Sequence, residues 1–221
     1  MKVILFGGSG MVGQGVLREC LLDPKVESVL SVGRSGTGRS HPKLRELVHR
    51  DLMDLTPIED QLRGAEACFF CLGMSSVGAT EEAYRQVTYD LTLAVAGTVA
   101  RLDPGLTFIY VSGYGTDSTE RGRTMWARVK GRTENALLRL PFKAAYMFRP
   151  GIIRPVRGIH SKTRIYRVVY ALLSPFVILA SVIAPNSLTS TEQMGRAMIH
   201  AVERGAPKVL LETRDINALA T

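Results

Sequence analysis

Apolar residues fall into two rhythms along this chain, short unbroken runs and helical stripes, and the two alternate from the start. Residues 3–6 form an apolar run ended by glycines, which predicts a strand. From 11 to 22, Val12, Val16, Leu17, Cys20 and Leu21 recur at helical spacing, and Asp23-Pro24 closes the stripe. Strands are predicted at 26–32, briefly at 47–49, and at 67–72. A long helix follows over 81–101, then a strand at 107–112, a helix at 125–138 and a strand at 144–148. Strands that alternate with helices favour parallel βαβ units with right-handed crossovers. The expected fold class is therefore α/β, a doubly wound parallel sheet with helices on both faces.

Beyond Arg149-Pro150-Gly151 the rhythm changes. Residues 168–185 are almost wholly apolar and are preceded by Arg154, Arg157, Lys162, Arg164 and Arg167. A membrane-spanning helix needs about 20 apolar residues, and this stretch is slightly short and broken by Pro175. Two readings stand. One makes 151–205 a small helical substrate-side segment, with buried or half-buried helical pieces beside the site. The other lays an apolar face with a basic rim on a membrane surface, as a peripheral contact through 168–185. Ser190 or Thr191 then caps a helix with Gln193 in reach of the capping-box position, and a strand at 208–211 and a short terminal helix finish the chain. No linker or repeat interrupts it, so residues 1–221 are expected to form one domain.

With 221 residues, 46% hydrophobic and 22% charged, the chain can bury one sizeable core. Cys68 and Cys71 have CxxC spacing, but positions three apart in a strand face opposite sides of a sheet and do not share a metal easily. Buried free thiols are expected, Cys20 included. Met1-Lys2 leads straight into a strand without a signal-peptide pattern, so a cytoplasmic protein is expected. The formal charge of +8 suits nucleic acid, an anionic surface or a phosphate-rich ligand. No zinc-finger spacing or RNA-recognition motif occurs, so no nucleic-acid partner is expected.

The phosphate-rich ligand is the reading that the first turn supports. Gly7-Gly8-Ser9-Gly10-Met11-Val12-Gly13 places Gly7, Gly10 and Gly13 as GxxGxxG between a strand and a helix. In a Rossmann-type dinucleotide site such glycines permit a tight turn, approach of the backbone to the pyrophosphate, and close packing of helix on strand. The N–H groups at the helix start then face the phosphates. At the end of the second strand an NAD site commonly carries Asp or Glu, whereas Ser31-Val32-Gly33-Arg34-Ser35 has no acid. Arg34, with Arg39 nearby, offers a planar fork to a 2′-phosphate. NADP is expected, in preference to NAD.

These residues resemble the atypical short-chain dehydrogenase/reductases, especially bacterial NAD(P)-binding proteins related to the Tat-interacting oxidoreductase-like protein and the NAD-dependent epimerase/dehydratases. The resemblance runs through Gly7 to Gly13, Gly33-Arg34, Arg50-Asp51-Leu52, Cys71-Leu72-Gly73, Val111-Ser112, Lys130-Gly131 and Arg149-Pro150-Gly151. It implies that Asp51 and Leu52 contact adenine and that Cys71, Leu72 and Gly73 pass beside the riboses. It further implies that Pro150, Gly151 and Ile152 lie along the nicotinamide carboxamide. Ser112 matches a catalytic serine that orients a substrate oxygen, and Lys130 matches the lysine of a YxxxK pair. That lysine bonds the nicotinamide ribose and lowers the tyrosine's pKa.

The tyrosine itself is absent, because Trp126 stands four residues before Lys130. A phenol ionises near pH 10 and is pulled down by a neighbouring cation, whereas an indole N–H only donates a hydrogen bond. Tyr114, two residues past Ser112 in a glycine-rich and hence flexible segment, is the leading substitute; Tyr89, Tyr84 and His160 are weaker ones. Asp117, Glu120 and Glu134 read as loop and helix-surface charges, with Lys130 and Glu134 an ordinary i,i+4 pair. Two functions remain open. One is an NADP-dependent oxidoreductase or epimerase-like enzyme for an apolar carbonyl or hydroxyl small molecule, with Ser112, Lys130 and Tyr114 as catalytic residues. The other is a module that senses NADP(H) without turnover. Trp126 and the long helices would also serve a homo-oligomer interface.

Overall fold

The computed structural model of the protein describes residues 1–158 and 188–221. The apolar stretch 168–185, with the peripheral-contact reading built on it, and His160 lie outside the described residues. Among the described residues no helix is long and apolar enough to cross a membrane.

Nine strands are present among the described residues: β1 (Lys2–Phe6), β2 (Ser28–Gly33), β3 (Leu44–Val48), β4 (Ala67–Phe70), β5 (Thr107–Val111), β6 (Ala144–Arg149), β7 (Ile152–Arg154), β8 (Leu188–Ser190) and β9 (Leu210–Glu212). Seven of them form one parallel sheet in the order β3-β2-β1-β4-β5-β6-β9. The chain moves outward from β1 to β3, then returns to β4 on the other side of β1. That reversal is the topological switch point, where doubly wound sheets bind ligands beyond the carboxyl ends of their strands. The expected α/β architecture is therefore the observed one.

Alternation along the central strands builds a core on each face. Val3, Leu5, Phe69 and Ile109 pack with helix α1 (Met11–Leu22) on one side. Ile4, Phe6, Phe70 and Phe108 point to the other, where α4 (Leu91–Leu102) and α5 (Met125–Leu137) cover them. Phe6, Phe70, Phe108 and Phe142 run in file there, with successive ring centroids 5.8, 6.1 and 4.9 Å apart. Cys68 and Cys71 fall on opposite faces, as the strand period requires.

Several boundaries differ from expectation for physical reasons. The edge strand β3 begins at Leu44: Leu44 packs on one face and Leu47 on the other, while Arg45 and Glu46 between them are exposed, as an edge strand tolerates. A short 3₁₀ turn (Thr56–Ile58) runs into α2 (Glu59–Leu62), which buries Ile58 and Leu62. The predicted helix over 81–101 is three pieces, α3 (Glu81–Arg85), a π-helical turn (Gln86–Asp90) and α4. The Thr133 hydroxyl of α5 lies 3.3 Å from the Thr88 carbonyl in that widened turn.

The 151–205 segment is not a purely helical cap in its described parts. Ile152–Arg154 and Leu188–Ser190 pair as a small parallel ribbon, β7 with β8. Ser190 then caps α6 (Thr191–Arg204) in a full capping box with Gln193. That helix buries Met194, Ala197, Met198, Ile199 and Ala201 beside α1 in the core layer. A terminal helix, α7 (Thr213–Leu219), follows β9.

α1 and α6 touch closely where Gly15 faces Thr191, since a Cβ on Gly15 would lie 2.6 Å from the Thr191 carbonyl oxygen. In a free helix Gly→Ala gains about 1 kcal/mol, but here the added methyl meets backbone that cannot turn aside. Overpacking of about 1–3 kcal/mol wins. Gly15→Ala is expected to lower the urea midpoint with an unchanged m-value; a raised midpoint would show that the helices part freely.

Candidate functional site

The turn after β1 is shaped for a ligand that the backbone itself touches. Gly7 has φ +87°, and a Cβ there would sit 2.8 Å from the Cys71 backbone at the end of β4. A Cβ on Gly13 would sit 2.1 Å from the Gly7 carbonyl oxygen, so α1 can start this near the sheet only without side chains. Gly10 is the N-cap, and no side chain caps the helix. The first-turn N–H groups, which no helix can satisfy internally, therefore remain available at the positive end of the helix dipole.

Beside this turn lies a cavity of about 930 Å³ at the switch point. Gly10, Met11 and Val12 of α1, Cys71, Leu72 and Gly73 after β4, and Val111 to Tyr114 after β5 line one part of it. Trp126 and Lys130 of α5, Pro150 to Ile153 after β6, and Glu212 to Arg214 at the start of α7 line the rest. Most residues expected to meet a cofactor's inner half or a substrate are thus brought together. The outer set is not: Arg34 and Asp51 are exposed beyond β2 and β3 and do not line this cavity. The Glu46 carboxylate accepts from Thr37 N at 2.6 Å and holds the loop that carries Arg34. Ser9 lends its carbonyl to Gln14 Nε2 at 3.0 Å. The Leu52 side chain is buried with Ile4 and Phe6 in the core.

The residue that sequence reasoning misplaced is Glu134. It is 0% exposed, not a surface charge, and no ion pair joins it to Lys130 among the described residues. Arg149, at the end of β6, binds it through Nε at 3.0 Å and through Nη2. The same guanidinium reaches the Ser118 hydroxyl, and its Nη1 lies 3.6 Å from Glu212. Ser112 donates its hydroxyl proton to Glu134. The serine expected to orient a substrate is thus already committed to a buried carboxylate, leaving only acceptor capacity toward the cavity. Trp126, Lys130 and Glu134 follow one another at i+4 on one helix face, the signal by which Glu134 was findable.

Lys130 is partly buried, and its ammonium donates to the Ser112 carbonyl. Desolvation lowers its pKa from 10.5 to about 8, against the pull of Glu134. Burial pushes the Cys71 thiol up to about 12. Tyr114 is 70% exposed at the mouth of the cavity. Its segment is more tied than its glycines suggest, for Tyr114 N donates to the Pro150 carbonyl at 2.9 Å and Thr116 Oγ1 to the Gly113 carbonyl at 2.7 Å. Of the weaker candidates, Tyr84 is buried and Tyr89 lies under the Arg132 guanidinium, 4.7 Å from its ring centroid. Asp117 is a loop charge as expected, accepting from the backbone of Thr119, Arg121 and Gly122.

No family model matches the chain. It is 27% identical to protein fmp52-2, mitochondrial, of Aspergillus oryzae over 154 residues, 67% of this chain and 66% of that protein. It is 26% identical to protein FMP52, mitochondrial, of Eremothecium gossypii over 164 residues, 73% of this chain and 70% of that protein. Such matches span about two thirds of the relatives' length. These names overturn the expectation of a cytoplasmic protein, and they differ from the Tat-interacting group that the motifs resemble. Among solved structures, a UDP-glucose 4-epimerase is similar at 16% identity and TM-score 0.71, over 99% of this chain and 80% of that one. The Bordetella bronchiseptica enzyme WbmH in complex with NAD+ is similar at 14% identity and TM-score 0.67, over 96% of this chain and 74% of that one. Likeness at this identity is a likeness of fold, the Rossmann-type fold of NAD-dependent epimerases and dehydratases.

Two outcomes follow from the buried charges. Arg149→Met strands Glu134 and is expected to cost about 3–5 kcal/mol, with Arg149→Met/Glu134→Gln recovering part of it in urea unfolding; equal loss in both would deny the pairing. For Lys130 the folded pKa lies below the unfolded one, so the unfolded chain binds more protons between pH 8 and 10.5. Wild type should therefore gain stability on Lys130→Met across that window, by up to about 3 kcal/mol. A pH-independent difference between the two proteins would contradict the desolvated lysine.

Proposed function

We propose that the chain is an NADP-dependent oxidoreductase, epimerase-like in fold, acting on a carbonyl or hydroxyl group of an apolar small molecule. The observation that carries this reading is the cavity at the switch point, which joins the uncapped start of α1 to the partly buried Lys130. The residues present fit a dinucleotide, because the cradle of Gly7 and Gly13 has no room for a Cβ and no side chain fills the helix start. That a solved structure of similar fold is an enzyme in complex with NAD+ supports a dinucleotide as the ligand. When bound, the nicotinamide ring supplies or accepts a hydride.

The chain's own residues bind and orient. First-turn N–H groups of α1 meet the pyrophosphate, and Arg34, which no carboxylate engages among the described residues, is the fork for a 2′-phosphate. Cys71 to Gly73 run beside the riboses with Asp51 at the adenine end, Lys130 holds a ribose hydroxyl, and Pro150 to Ile152 flank the carboxamide. Val111, Trp126, Ile152 and Ile153 exclude water and favour an apolar substrate.

Trp126 favours a second reading, a module that binds NADP(H) without turnover. Fluorescence titration with NADPH and NADH, on wild type and Arg34→Ala, tests the cofactor. Loss of a charge-assisted contact worth about 1.5–3 kcal/mol is expected to weaken NADPH about 10- to 100-fold and leave NADH unchanged. Failure of wild type to bind either nucleotide would defeat both readings. Tight NADPH binding without NADPH oxidation across a panel of apolar aldehydes and ketones would select the module.

A further inference from the structure

Resting on the oxidoreductase reading, we infer that Lys130 Nζ is itself the proton donor and acceptor for the substrate oxygen, in the place where a phenol would otherwise stand. Among the described residues the cavity offers few other groups. Trp126 has an indole N–H that does not ionise in water. The Ser112 hydroxyl proton is held by Glu134. Cys71 stays a neutral thiol, Tyr114 sits out at the mouth, and Arg214 is exposed and permanently charged. Glu212 caps the start of α7 and lies 3.6 Å from Arg149. Lys130 is thus the ionisable group among the described cavity residues that is both held in place and free to exchange a proton.

Its geometry serves that use. One N–H is fixed on the Ser112 carbonyl, which leaves two directed elsewhere. The groups around it act in opposite senses. Glu134 from its own helix favours the ammonium, while Arg149 from β6 offsets Glu134. The apolar lining from Val111 and Trp126, with neutral Cys71 after β4, disfavours charge. Glu212 and Arg214 from α7 carry opposite charges at the rim. The balance leaves an ammonium that can give up its proton near neutral pH, as general acid catalysis needs. In reduction the carbonyl carbon gains a hydride from the reduced nicotinamide dinucleotide, and its oxygen takes the proton from Nζ. The neutral amine then regains a proton from solvent, and oxidation runs the same transfers in reverse.

The test uses Lys130→Arg, whose guanidinium keeps the charge and the hydrogen bonds but releases no proton. Protein labelled with 13C at lysine Cε, without nucleotide, is expected to show one lysine titrating near pH 8 that vanishes in the variant. Because Lys130 also holds a ribose hydroxyl, the variant is assayed at saturating NADPH, where carbonyl reduction should fall about 100-fold or more. Wild-type reduction should decline above about pH 8, as the ammonium is lost. Should the arginine variant unfold by circular dichroism, Lys130→Met takes its place, since a thioether carries no proton. NADPH binding with every lysine titrating above about 9.5, or reduction by the variant within tenfold of wild type, overturns the inference alone. Absence of NADPH binding in wild type brings down the oxidoreductase reading, and this inference with it.

Discussion

A carboxylate and a guanidinium buried at the carboxyl edge of the sheet hold the site's geometry together. Glu134 comes from α5, Arg149 from β6, and between them they engage Ser112 after β5, Ser118 in the loop beyond it and Glu212 at the end of β9. Removing two charges from water is expensive, and a well-packed apolar pair often stabilises as well. Stability is therefore a poor reason for the pair. Its directional bonds instead fix three strand ends against the helix that carries Lys130 and Trp126.

The other wall of the cavity is fixed by the opposite means, an absence of side chains. Gly7 and Gly13 bring the start of α1 against the turn and β4 so closely that methyl groups have no place. One wall is thus set by polar bonds and the other by backbone contact, and both are stiff because each is over-determined by the sheet behind it. A rigid scaffold of this kind suits the proposed site, which would hold a long dinucleotide against a small substrate without rebuilding itself each time.

How much of this the sequence made legible depended on the range of the interaction. The glycine turn, the strand–helix alternation and the capping box at Ser190 and Gln193 are local, and each stands where its residues predict. The edge strand Leu44–Val48 was half-read, because the exposed Arg45 and Glu46 interrupt the apolar run between Leu44 and Leu47. Glu134 was misread for a deeper reason. Its spacing from Lys130 matches a surface ion pair, and only the fold reveals Arg149, 15 residues on, as its partner. An arginine ending a strand that is buried at Met147 and Phe148 asks for an inward-facing acid, and that clue was available. The burial of Leu52 is likewise not encoded in its three-residue neighbourhood.

Trp126 matters most for what it leaves to its neighbour one turn along the helix. A phenol beside a lysine divides the labour: the cation lowers the phenol's pKa and the phenol moves the proton. An indole cannot take its share, but it adds apolar surface to the wall of the cavity that Lys130 also lines. Desolvation is the leading cause of the lysine's lowered pKa, with Glu134 opposing it. Trp126 thus brings no ionisable group of its own, and Lys130 keeps the lowered pKa that its burial gives it. On this physical ground the loss of the tyrosine is weaker evidence against catalysis than a motif comparison suggests. What decides the matter is whether the pocket still holds a proton whose release costs little near neutral pH, and the surroundings of Lys130 meet that condition.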